Sequence, residues 1–529
     1  MSRIVDLGSV GPVGSAVIGF ARRDEAGLSV SAAGDFNGDG IDDFIVGSNG
    51  SAYLIFGQEG GIGTVDLADL HASDGFEIST DQFGHRPGSD VSAAGDINGD
   101  GFDDLIVGGN QYGVRNDYGS IPTAYVVFGR SGEVDTIDVS TFHAAATSDG
   151  FRIFGEFAID DYSGARVASA GDINGDGFDD MVVGTPYRDA ATGAAYVIFG
   201  KAGGFANIDL ENLDPATGFA IIGDLPDDHL GFSLSGAGDV NGDGYDDIII
   251  GAKYGNAGGT DSGQAYVIFG KETGFGTIDL SDLDPAAGFV IHGDEHLFSV
   301  GWSVSAAGDV NGDGFDDVIV GAPYADGGAG RNANSGAGEA YVVFGRAVGF
   351  GAVDLSSLKR NEGFTIRGDD PGDLAGWSVS GAGDLNADGF DDIIVGAPGG
   401  DSGGADAGEA YVIFGEAHGP GTIDLARLES GRGRADGFMI QGDVANDRAG
   451  WSVSDAGDID GDGVDDLIVG APWNDFGALG VDWPGAPLPP EDLNSGQAYV
   501  LYGAELAEFF PPLKGHGQGH GDAHLDLFW

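Results

Sequence analysis

The 529-residue chain contains no cysteine, which excludes a disulfide framework, a thiolate metal site and a cysteine nucleophile. Positive charge is nearly as scarce: 22 Lys and Arg stand against 86 Asp and Glu, a formal net charge of −64. A nucleic-acid backbone or an anionic membrane would repel such a chain, so neither is expected as a partner. No run of 18 apolar residues occurs, so no membrane-spanning helix is expected. The opening MSRIVDLGSVGPVGSAVIGF lacks the continuous apolar stretch of an N-terminal signal peptide. Proline is sparse (18) and glycine abundant (101) without an every-third-residue period, which indicates tight turns and excludes collagen. With 41% hydrophobic residues the chain can still bury a core.

What the chain has is one unit written seven times. The string D-x-(N/D)-x-D-G-x-D-D begins at Asp35, Asp96, Asp172, Asp239, Asp309, Asp384 and Asp458, at intervals of 61, 76, 67, 70, 75 and 74 residues. A segment such as WSVSAAGD precedes each copy and one such as DDVIVGAP follows it; then come AYVIFG-like and GFxI segments. All four are short, rich in Val, Ile, Tyr and Phe and bounded by Gly and Asp, so they read as strands. Four antiparallel strands repeated seven times predict an all-β, seven-bladed β-propeller. The GFxI segment follows the AYVIFG segment only six times, and the missing copy lies at the N-terminus as Ala16-Val17-Ile18-Gly19, after an IVDL (4–7) that matches the later TIDL. The N-terminal strand is therefore expected to complete the last blade and close the ring without an exposed edge. The propeller is assigned to residues 1–503 and a C-terminal tail to 504–529.

Each acidic string places oxygen donors at loop positions 1, 3, 5 and 9 and a backbone carbonyl at 7. The first loop offers Asp35, Asn37, Asp39 and Asp43 with the carbonyl of Ile41, and the second Asp96, Asn98, Asp100 and Asp104 with that of Phe102. The third offers Asp172, Asn174, Asp176, Phe178 and Asp180, and the fourth Asp239, Asn241, Asp243, Tyr245 and Asp247. The fifth has Asp309, Asn311, Asp313, Phe315 and Asp317; the sixth has Asp384, Asn386, Asp388, Phe390 and Asp392. The seventh has Asp458, Asp460, Asp462, Val464 and Asp466, with Asp in place of Asn at position 3. A hard cation wants six to eight such oxygens, and Gly at position 6 permits the sharp turn. The spacing opens like an EF-hand loop but runs into a strand rather than a helix. Up to seven Ca²⁺ ions are therefore expected, Mg²⁺ being disfavoured because the cage displaces its waters.

These residues resemble the FG-GAP repeat of integrin α-subunit propellers and their bacterial relatives. Gly-Ala-Pro is intact at 321–323, 396–398 and 470–472 and altered to GTP (184–186), GAK (251–253), GSN (47–49) and GGN (108–110); Phe83-Gly84 supplies the Phe-Gly. The resemblance covers about residues 3–503 and implies the propeller and its calcium. For function it implies a range: adhesion receptors, lectins, and propellers carrying lyase or phospholipase activity.

In an antiparallel meander the acidic loops occupy one face, and the opposite face receives the loops between second and third strands. Those loops vary most, from 47–51 to the long 108–123, 321–339 and 470–497, which makes this the expected recognition face. Phe232, Trp302, Trp377 and Trp451 share one position seven residues before the first Asp of their repeats, where the others have Leu28, Ser89 and Ala165. These aromatics are candidate ligand-binding residues, with inter-blade packing as their structural alternative. No G-x-S-x-G or H-E-x-x-H motif occurs, so no catalytic residue is assigned and the chain is not expected to be an enzyme. The expectation is a secreted or cell-surface calcium-binding module for an extracellular protein or carbohydrate ligand. The alternatives are a polysaccharide lyase or hydrolase on a propeller scaffold and a structural component of a surface layer or filament. The acidic, apolar end of the tail resembles a type I secretion signal.

Overall fold

The computed structural model describes residues 4–19, 24–80, 85–112, 119–132, 134–155, 158–159, 165–293, 299–325, 336–430, 436–473 and 496–509. Seven sheets follow one another along the chain, each antiparallel through its four main strands. Their innermost strands (Ser29–Gly34, His85–Gly95, Arg166–Gly171, Leu230–Gly238, Ser303–Gly308, Ser378–Gly383 and Ser452–Gly457) contact one another in an unbroken circle, the last against the first. Serine explains part of that closure. The first serine of an inner strand accepts the N–H of the neighbouring blade's inner strand, as in Val30 to Ser452 Oγ and Val379 to Ser303 Oγ, both 3.1 Å.

The second and third strands are buried along nearly their whole length, fully so in Asp317–Ala322 and Glu339–Val343. Their apolar runs do not alternate with polar residues because each blade is covered on both faces by its neighbours. The cores accordingly lie between blades: Ala33, Leu54 and Phe76 of the first pack with Leu105, Val107 and Tyr125 of the second. As expected, Gly14–Ile18 pairs antiparallel with Gln497–Leu501 and completes the seventh blade.

Each blade has about five strands rather than four. The Ile-Asp pair ahead of each GFxI segment crosses to the preceding blade and pairs parallel with its outer strand, as Val353–Asp354 does with Gly288–His292. Ile4–Asp6 does the same on the outer strand Gly437–Gln441 of the sixth blade. The crossing is held locally. The Asp caps the following single turn, as Asp354 accepts the Ser356 N–H at 3.0 Å, and the next Leu (Leu355) is buried. Outer edges are thereby covered. In the segment assigned to the tail, Gly503–Phe509 is a helix with Leu506 buried. Residues 510–529, Phe83-Gly84 and the middles of the three long loops (113–118, 326–335 and 474–495) lie outside the described residues.

Candidate metal centres and the opposite face

All seven acidic strings form the turn between first and second strands and fold alike. The position-1 carboxylate accepts the N–H groups of positions 5 and 6, at 2.8–3.0 Å throughout. The position-5 Oδ1 accepts the position-7 N–H at 3.0–3.2 Å. The position-9 Asp starts the second strand, is fully buried, and accepts the N–H of the Gly that ends the third strand at 2.7–3.0 Å.

The two adjacent Asp residues at positions 8 and 9 do different work. Position 9 turns into its own loop. Position 8 reaches the neighbouring blade and accepts the N–H of that loop's position-1 Asp. Six such bonds of 2.7–3.0 Å are present, from Asp35 to Asp103 around to Asp458 to Asp42, which spans the closure of the ring. Gly precedes position 1 for this reason: a Cβ on Gly34 would meet Asp103 Oδ2 at 2.3 Å. The strict repetition of Asp-Asp was a signal for this clasp, but nothing local says which carboxylate leaves the loop.

Each loop carries several oxygen donors, and some lack partners. Asp43 Oδ2 and Asn386 Oδ1 are buried and accept no hydrogen bond. In the seventh loop Asp458, Asp460 and Asp462 bring carboxylate oxygens within 4.8 Å of one another. Burial pushes every position-9 Asp up to about 8 against the lowering effect of its backbone donor, and the other carboxylates of the loop push the same way. A donor set of carboxylate, amide and carbonyl oxygens with unpartnered buried atoms suits a hard divalent cation.

The sixth loop departs in a coordinated way. Position 4 is Gly elsewhere, with φ of 70–75°, and a Cβ on Gly38 or Gly312 would meet the position-7 ring of the next blade (Phe102 or Phe390) at 2.4 Å. Ala387 occupies this position with φ 54°, and the next loop carries Val464 where a ring usually stands. The smaller neighbour leaves room for the methyl; the left-handed backbone strain remains.

At the other end of the inner strands, Phe232, Trp302, Trp377 and Trp451 form one continuous arc, with successive ring centroids 5.2, 4.7 and 4.6 Å apart. Trp473 extends it at 4.3 Å and Tyr324 stands edge-on to Trp302 at 5.3 Å. The four are half-buried, so they both pack between blades and line the channel mouth. Sequence reasoning missed Lys253, which replaces the Pro of Gly-Ala-Pro. Its Nζ lies 3.4 Å from the Phe232 ring centroid and 4.6 Å from that of Trp302. Burial, and then Arg166 nearby, push its ammonium down to about 8. The signal was the altered GAK itself, set among aromatics on a chain so poor in cations.

A family model described as FG-GAP repeat matches residues 26–66, 88–121, 163–198, 230–268, 300–343, 375–413 and 449–501. Among curated proteins, the chain is 36% identical over 239 residues to Integrin alpha pat-2 of Caenorhabditis elegans (43% of this chain, 18% of that protein). It is 32% identical over 246 residues to Integrin alpha-V of Gallus gallus (46% and 21%). It is 30% identical over 261 residues to Phosphatidylinositol-glycan-specific phospholipase D of Homo sapiens (48% and 28%). The chain thus spans less than a third of the length of these relatives.

Proposed function

The chain belongs to the FG-GAP repeat family, and from that premise we propose that it is a calcium-loaded, non-catalytic binding module. In this reading it acts outside the cell, in adhesion or matrix assembly, and engages a protein or glycan through the face opposite the acidic loops. The observation that carries the proposal is the division of labour between the faces. One face presents seven equivalent acidic loops, each with a buried position-9 carboxylate, and at Asp43 one of its oxygens accepts no hydrogen bond. The other presents the loops of variable length and the aromatic arc. The integrin α relatives support the binding role. Ca²⁺ is favoured over Mg²⁺ because the many protein oxygens would replace nearly the whole hydration shell.

No helix among the described residues is long and apolar enough to cross a membrane. The phospholipase D relative favours a second reading, in which the propeller serves an enzyme as scaffold. Array binding to proteins and glycans in Ca²⁺, followed by product analysis of each bound substrate, separates the two. Saturable binding without turnover is the expected outcome, and consumption of a bound substrate would replace the binding module with an enzyme.

A further inference from the structure

We propose that the channel mouth opposite the acidic loops binds a carboxylated sugar of the uronic-acid class, its ring against the tryptophan arc and its carboxylate at Arg166, within the field of Lys253. The inference rests on the reading that this face is the binding surface, and names the chemistry of what it takes.

The arc covers only part of the circle. Blades four to seven contribute the aromatics at this position, and blades one to three contribute Leu28, Ser89 and Ala165. The cavity they share with the inner-strand serines has a volume of about 470 Å³, within the range of small-ligand sites. Aromatic faces suit the C–H faces of a pyranose, and serine hydroxyls suit its oxygens.

This mouth gathers two of the chain's scarce cations. On a chain of net charge −64, Lys253 and Arg166 both lie over the Phe232 ring, at 3.4 and 5.0 Å from its centroid. Lys253 is 6% exposed and has no hydrogen bond or ion pair among the described residues. Arg166 Nε is buried without a hydrogen-bond partner; Asp90 is the acid near it. Two cations over one ring, one unpaired and the other lining the cavity with an unused donor, favour an anion beside Arg166. They also argue against a cationic occupant at Phe232 and Trp302, whose faces they already take. Nor does the repeat demand this lysine, since Pro323, Pro398 and Pro472 hold its place in later blades.

The test uses hexasaccharides containing glucuronate, galacturonate or mannuronate, their carboxyl-reduced neutral counterparts, and a hexa-arginine peptide. Binding to the full chain in saturating Ca²⁺ is followed by tryptophan fluorescence and calorimetry. At least one uronate should bind saturably, and its reduced counterpart at least tenfold more weakly. Lys253→Met, which keeps an unbranched apolar stem in the same slot, should lose at least tenfold while melting like the parent. Trp377→Leu should abolish the fluorescence response. Equal binding of the neutral sugar, preferential binding of the peptide, or no binding by any uronate overturns the inference. The first two outcomes, if lost in Trp377→Leu, leave this face as the binding surface. Uronate binding that survives undiminished in the Lys253→Met, Trp377→Leu double variant overturns both the inference and the assignment of the face.

Discussion

Stripping the cation should lower the melting temperature by an amount that the seven-fold repetition sets. A ligand bound only by the native state stabilises it by RT ln(1 + [L]/Kd), about 1.4 kcal/mol per site at a free concentration ten times Kd. Seven equivalent loops then contribute about 10 kcal/mol. Unfolding about 500 residues carries an entropy of roughly 1 kcal/mol per kelvin, so the midpoint should rise by about 10 °C between excess chelator and that Ca²⁺ concentration. The rise should continue logarithmically, by roughly another 9 °C per further decade of Ca²⁺. Calorimetry or near-ultraviolet circular dichroism across a Ca²⁺ series measures it, with Mg²⁺ at equal ionic strength as the control for screening of the −64 charge. Asp317→Asn, which weakens one loop, should remove about one seventh of the shift. A midpoint that moves less than about 2 °C, or moves equally with Mg²⁺ and Ca²⁺, would refute the claim that the loops hold Ca²⁺ as structural ligands.

Three further outcomes follow from particular residues. Ala387→Gly should stabilise the protein by about 1 kcal/mol by releasing left-handed strain, and Val464→Phe should be tolerated only in its presence; a double-mutant cycle in denaturant that shows no coupling contradicts the packing account. Asp316→Ala removes the acceptor for the Asp239 N–H and should cost about 1–3 kcal/mol while calorimetry still counts every cation, whereas Asp317→Ala should remove one. The third concerns pH. Asp369 and Asp373 are raised from their ordinary value of 3.8, first by burial, then by Glu429 for Asp369 and by Asp369 for Asp373. The native state then holds protons that the unfolded chain does not, so this contribution is complete below about pH 4 and is lost as pH rises toward 8. Melting in saturating Ca²⁺ should show Asp369→Asn/Asp373→Asn with a flatter decline over that window; an unchanged slope rejects the coupling.

Much of the molecule was legible because the repeat averages over its own accidents. One D-x-N-x-D-G string is a turn; seven with three carboxylates in register point to the shared acidic hairpin loop that all seven blades form, and the displaced GFxI segment at Ala16–Gly19 announced the closure that Gly14–Ile18 makes on Gln497–Leu501. The aromatic arc was visible as a shared position. The fifth strand was not, because a two-residue Ile-Asp pair carries no periodicity, and its partner belongs to the preceding blade.

Local physics, written in adjacent residues, determined the strands, the turns and the carboxylate-lined loops, since each depends on φ/ψ preference and spacing within one unit. Only the ring could decide which Asp of each pair crosses to a neighbour, why Ala387 is tolerated beside Val464, and that Lys253 and Arg166 lie over one ring. Except for Lys253 over Phe232, which share a blade, those are contacts between neighbouring blades, whose geometry does not exist until the blades have packed together.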